Sequence, residues 1–292
     1  MTTSENDLAN TEVKGPGSMG RRVSTAVFGG LVSLFALFTT HALPVAVLAV
    51  LVAVVGFAEL VRIAGLEDRP LAAVLIGLLC YVLPVSVAWS TPPGTWYFWA
   101  TLWLAYAVGC LGVLQGLRRG YSAPMAAAWL GAPLATVYVT HQQTPLGTGQ
   151  FAANLALLLL VPLWIGDTMA LLIGRKFGRH KLAPAISPSK TWEGAIANFM
   201  TCILTAVALG ALLRVAPYAS FMVGAISGVL GQLGDLAQSA LKRVTGLKDS
   251  GAALPGHGGV LDRLDSFLLS SVPCATVLWL SDPSMFHVKL WP

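Results

Sequence analysis

The chain has 292 residues, of which 55% are hydrophobic and only 11% charged, and its mean hydropathy is +0.72. A soluble domain carries charge on about a quarter of its residues, so a soluble enzyme is excluded and a polytopic membrane protein is indicated. The net charge of +5 resides in short loops between apolar runs, with no long basic face interleaved with aromatics, which excludes a nucleic-acid module.

Residues 1–20 form a polar tail without apolar periodicity, expected to be disordered and cytoplasmic. Apolar runs near the roughly 20 residues needed to cross a bilayer then recur nine times, at about 23–40, 43–63, 71–89, 96–117, 122–139, 151–174, 194–213, 218–238 and 264–281. The first run lacks a convincing small-x-small cleavage site and reads as an anchor. With the N-terminus inside, every one of the 18 Lys and Arg residues except Arg214 and Lys289 falls on the cytoplasmic side. One span more or fewer would flip every later loop. The expected fold is an all-α integral membrane protein, a polytopic bundle of about nine transmembrane helices with cytoplasmic motif loops and the C-terminus outside. Membrane helices occupy 21–150, and the C-terminal half, 151–292, carries the chemistry. Cys80, Cys110, Cys202 and Cys274 lie far apart in apolar segments and read as small core residues rather than a disulfide or zinc set. Trp89, Trp96, Trp99, Trp103, Trp129 and Trp291 lie near span ends and are assigned to the aromatic belt. Glu59, near the inner end of the second span, is expected to pair with Arg62 or Arg69.

Four carboxylates need an explanation. Asp167 and Asp235 lie inside apolar spans, where a charged residue costs about 2.5–3.5 kcal/mol on insertion scales and therefore faces a partner or a wet cavity. Asp262 and Asp265, three apart at the start of the last span, share one helix face. Helix-to-helix polar contacts and favourable charge at a helix N-terminus are the structural alternatives. Oxygen ligands from several carboxylates suit Mg²⁺, which keeps waters and binds substrate phosphates. The glycines at 256, 258 and 259 around His257 allow backbone to approach a ligand closely, and a helix starting just after them can aim N–H groups at phosphate. Lys242, Arg243 and Lys248 precede this turn in a basic loop. A second basic stretch, Gly174 to Gly194, sets Ser187, Ser189, Lys190 and Thr191 at the start of the seventh span, another anion-binding arrangement. Its alternative is an ordinary basic loop, with Glu193 a cap or an ion-pair partner.

Ser239-x-x-Lys242-Arg243, Lys248-Asp249, Pro255-Gly256-His257-Gly258-Gly259 and Asp262-Arg263-x-Asp265 together resemble the diagnostic pattern of the phosphatidate cytidylyltransferases, the CDP-diacylglycerol synthases. Gly231 to Asp235 extends the likeness upstream, as does the stretch from Asp167 to Gly194. Leu171 departs from the tyrosine that the family commonly carries there. The resemblance implies Mg²⁺-dependent transfer of the cytidylyl group of CTP to phosphatidic acid, giving CDP-diacylglycerol and pyrophosphate in phospholipid biosynthesis. It implies Asp235 and Asp262 as Mg²⁺ ligands, with Asp265 a third ligand or a close support and Asp167 a further site acid. Lys190 with Ser189 and Thr191 would hold phosphate, while Lys242, Arg243, Lys248, Gly258, Gly259 and Arg263 would serve the triphosphate or the lipid headgroup. His257 would bond phosphate or the leaving group. It leaves a second, monovalent cation open, makes a homodimer plausible, and places the site at the cytoplasmic face of a cell membrane. The rival reading from a different class is an ion-coupled transporter using Asp167 and Asp235 as a relay. The paired acids of a DGxxAR-type CDP-alcohol transferase are absent.

Overall fold

The computed structural model describes residues 29–39, 41–63, 96–119, 123–142, 154–247, 249–251, 253–254 and 258–282. The N-terminal tail, the run at 71–89, Cys80, Trp89, Trp291, Lys248 and His257 lie outside the described residues.

Among the described residues there are eight helices: α1 Gly29–Phe38, α2 Ala42–Ile63, α3 Trp96–Arg119, α4 Ala123–His141, α5 Ala156–Phe177, α6 Trp192–Leu212, α7 Pro217–Val244 and α8 Leu261–Ser281. Six of them, α2, α3, α5, α6, α7 and α8, are long and apolar enough to cross a membrane, so the chain is a polytopic membrane protein. Their outward faces carry large apolar side chains such as Leu43 and Leu204, at 71% and 66% exposure; in a bilayer these face hydrocarbon.

Two expectations need correction. The stretch between α5 and α6 is not an open loop: Lys181–Ala183 (β1) and Ser187–Thr191 (β2) form an antiparallel hairpin with Lys181 opposite Thr191 and Ala183 opposite Ser187. Of the tryptophans assigned to the aromatic belt, Trp96 is exposed, but Trp129 and Trp99 are buried. Trp99 stacks on Trp279 at 5.0 Å between ring centroids, because a wide apolar ring contributes more inside a helix interface than at its rim. Cys202 and Cys274 are buried free thiols, and Cys110 is half-buried, as core residues should be.

Local chemistry starts and stops the helices that matter. Thr191 sits in extended conformation at the α6 N-cap, and its hydroxyl accepts the Gly194 N–H at 3.2 Å. Pro217 opens α7, where its missing N–H costs nothing. Lys242 and Arg243 occupy the last turn of α7, on the helix rather than in a loop, where cations complement the negative end of the dipole.

Helices α5 to α8 pack as a contiguous group, α6 against α5 and α7, and α7 against α8. Small residues set the spacing. A Cβ at Gly224 would fall 2.5 Å from the Ile203 Cα of α6, and one at Gly234 2.4 Å from the Asp265 carbonyl oxygen of α8. The second contact fixes where Asp235 and Asp265 meet. Gly234→Ala is therefore expected to force α7 and α8 apart, costing about 1–3 kcal/mol and lowering turnover; thermal unfolding in detergent beside a rate assay checks both.

Candidate active site

Helices α5, α6, α7 and α8 and strand β2 enclose a cavity of about 430 Å³ whose walls include Asp167, Ser189, Lys190, Thr191, Asp235, Asp262, Arg263 and Asp265. Eight of the residues expected from sequence thus meet in one place, although Asp167 and Asp265 are 98 positions apart in the chain.

Each acid has a distinct setting. Asp235 Oδ2 pairs with Lys190 Nζ at 2.5 Å, and its Oδ1 accepts the Ser239 hydroxyl at 3.3 Å. Asp167 accepts the Asn198 side-chain amide at 3.0 Å and the Ser266 hydroxyl at 3.3 Å. Ser266 Oγ also lies 3.5 Å from Asp265 Oδ1, so one hydroxyl stands between two carboxylates. Asp265 Oδ1 accepts the Ser266 N–H at 2.8 Å. Asp262 has the fullest set of partners. Lys242 Nζ donates to Oδ1 at 2.6 Å, and the Ser250 and Gly259 N–H groups donate to Oδ2 at 2.9 and 3.0 Å. Asp262 therefore ties the glycine loop and the end of α7 to the first turn of α8.

Gly258 has φ +86°, a left-handed conformation that glycine adopts without the usual Cβ penalty. A Cβ there would also come within 3.0 Å of Asp262 Oδ2. Gly258 and Gly259 thus form the wall that supports Asp262. Thr191 lines the cavity while its hydroxyl caps α6. Arg243 does not line the cavity: its Nε faces the Ile186 carbonyl of the hairpin turn at 3.5 Å. Glu193 pairs with His180 at 2.7 Å, in keeping with the ion-pair alternative.

Sequence reading did not single out Asn198, Gln232 and Ser266. Asn198 and Gln232 line the cavity, and Gln232 donates to the Ala195 carbonyl at 3.2 Å. An Asn in an apolar span was itself a signal of the kind that flagged Asp167. Of the two arginines expected to pair with Glu59, Arg69 lies outside the described residues, and Arg62 forms no ion pair with it among the described ones; the Glu59 carboxylate accepts the Val260 and Leu261 N–H groups, each at 2.9 Å.

Beside the polar cavity lies an apolar cleft of about 130 Å³, lined by Leu37, Val45, Ala49, Leu134, Leu163 and Phe267 among others. Asp167 and Arg263 border both spaces. A compartment rich in carboxylates and cations therefore adjoins one able to take hydrocarbon.

Among the described residues no group of three or more His, Cys, Asp or Glu side chains is arranged to hold a metal by itself. The donors that are present are carboxylate oxygens, which fit a hard divalent cation that draws its remaining ligands from water and phosphate.

The chain matches the model of the cytidylyltransferase family over residues 20–281. It is 36% identical over 146 residues to the phosphatidate cytidylyltransferase of Staphylococcus saprophyticus, covering 49% of this chain and 53% of that protein. To the phosphatidate cytidylyltransferase of Staphylococcus epidermidis it is 45% identical over 107 residues, 36% of this chain and 41% of the relative. A Staphylococcus haemolyticus protein of the same name is 44% identical over 107 residues, with the same shares covered. The chain therefore spans roughly half, or less, of the length of the curated relatives it matches. The family match, covering most of the chain and both ends of the cavity, places this protein in the cytidylyltransferase family.

Proposed function

We propose that this protein transfers the cytidylyl group of CTP to phosphatidic acid, releasing pyrophosphate. The observation that carries this reading is the junction of the two spaces at Asp167 and Arg263. One substrate must be a polyanion and the other must join an anionic head to hydrocarbon. The name borne by the relatives points the same way.

In the reaction an oxygen of the lipid phosphate attacks the α-phosphorus of CTP. The new O–P bond forms as the bond to the β-phosphate oxygen breaks, and pyrophosphate leaves with that electron pair. A phosphate monoester is a dianion near neutral pH, so no protein base is required. The protein's tasks are to gather two anions that repel each other and to stabilise the charge moving onto the leaving group. Lys190 and Ser189, beside the α6 N-terminus, would hold phosphate. Arg263, at the junction, would meet the lipid headgroup, and Lys242 would hold Asp262 in place. Asp235 and Asp262 would offer carboxylate oxygens to Mg²⁺, with Asp265 and Asp167 beside them and the remaining ligands drawn from water and substrate phosphate. When bound, the ion would neutralise charge on the triphosphate. The same reading takes the chain as nine spans with the N-terminus and the motif loops on the cytoplasmic side, where CTP is found.

The test is cytidylyl transfer by the purified protein in detergent, from labelled CTP, with and without phosphatidic acid and Mg²⁺. Product that requires both is the expected result. Absence of product in a native-like lipid mixture would sink the reading and direct attention to cation flux in proteoliposomes.

A further inference from the structure

Glu59 lies in α2, in the N-terminal half, yet its side chain is 6% exposed and reaches the start of α8. Oε1 accepts the Val260 N–H at 2.9 Å, and Oε2 accepts the Leu261 N–H at 2.9 Å and the Ser250 hydroxyl at 3.0 Å. Val260, at the α8 N-cap, makes no side-chain cap of its own. The first N–H groups of a helix have no partner within it; here a carboxylate from another helix supplies one, with charge of the sign that the helix N-terminus favours.

We propose that Glu59 is a positioning residue for the reaction, acting through Ser250 and the first turn of α8 on Asp262, Arg263 and Asp265. The path is continuous. Ser250 is fully buried; its hydroxyl goes to Glu59 and its N–H to Asp262 Oδ2. Glu59 and Asp262 between them take the N–H groups of Gly259, Val260 and Leu261. They thereby set both the height and the rotation of the turn that presents the site residues. The packing is specific to this acid. A Cβ at Gly251 would lie 2.6 Å from Glu59 Oε1, and one at Gly259 2.4 Å from Oε2 and 2.0 Å from Ser250 Oγ. Two loop glycines thus leave room for one carboxylate, which gives Gly259 a reason to be glycine apart from any ligand.

The kinetic arm of the test rests on the cytidylyl-transfer reading. Displacing reacting groups by about 1 Å can cost about 100-fold in rate, and Glu59→Gln is expected to lower kcat on that scale. It should also raise the Mg²⁺ concentration for half-maximal rate. Ser250→Ala should lower kcat less, and the double variant should be no worse than Glu59→Gln alone, because both act on one path. A purely structural residue would reduce the yield of folded protein without shifting the Mg²⁺ response. Amide hydrogen exchange supplies a readout independent of turnover: exchange at 258–262 should rise in Glu59→Gln and remain unchanged in α6. A folded Glu59→Gln protein with wild-type kcat, Mg²⁺ response and exchange overturns the proposal. If Glu59→Gln does not fold, Ser250→Ala, which keeps the two backbone bonds to Glu59, decides it, and wild-type kcat there overturns it. Absence of transfer by the intact protein would refute the reaction, while the exchange comparison would still judge Glu59.

Discussion

Asp235→Asn is expected to leave the protein folded and to reduce cytidylyl transfer by about 1,000-fold, the upper range for losing one group that stabilises transition-state charge. The two consequences separate because of where the residue sits. The Asp235–Lys190 pair is partly open to the cavity, with side-chain exposures of 28% and 20%, so water can reach the Lys190 ammonium left without its partner and the loss costs less than breaking a fully buried pair. The asparagine keeps the shape of the side chain and an acceptor for Ser239, but removes the charge that balances Lys190 and that the proposed Mg²⁺ would meet. Turnover over a range of Mg²⁺ concentrations, beside thermal unfolding, checks both halves. Excess Mg²⁺ should not restore the rate. Activity within about tenfold of wild type, below the usual effect of removing such a group, would reduce Asp235 to a support for Lys190.

Asp262→Ala should cost stability as well as turnover. Asp262 and Lys242 are nearly buried, at 10% and 11% side-chain exposure. Removing one member of such a pair leaves the other uncompensated, at about 3–5 kcal/mol. The Ser250 and Gly259 N–H groups lose their acceptor in the same step. Asp262→Asn, which keeps an acceptor for them, should unfold at a temperature between those of wild type and the alanine variant while remaining nearly inactive. Adding Lys242→Met to Asp262→Asn should recover part of the stability, since the lone ammonium is gone, but none of the rate. Recovery of turnover in that double variant would show that Asp262 serves only to anchor the loop.

These two aspartates share a cavity and differ in duty. Asp235 faces an ammonium across space that a ligand can enter, whereas Asp262 is braced by three donors from two separate segments. The bracing continues to Glu59 and gives the N-terminal helices a part in the site beyond anchoring it. Lys190, Asp235, Asp262 and Arg263 line the cavity to which the proposed reaction would bring two anions, and Ser250 and Glu59 lie behind them.

Composition and hydropathy alone determined the membrane class, because a chain this poor in charge cannot cover a water-facing surface. The runs at 43–63, 96–117 and 194–213 correspond closely to α2, α3 and α6 for the same reason: span length and apolarity are local properties, readable without knowing any neighbour. The acids were legible too, since a carboxylate in an apolar span is costly wherever the chain folds. Only the tertiary structure decided what each acid touches. Trp99 and Trp129 have the same apolar flanks as a belt tryptophan, and only packing showed them buried. Lys190 meets Asp235 because β2 pairs with β1 and leads straight into α6. Val260 meets Glu59 across 201 positions of sequence. Periodicity and motif spacing record neighbours along the chain; a hydrogen bond between a carboxylate and a helix start two hundred residues away depends on how helices pack, through glycines whose role is visible only once the opposing backbone is in place.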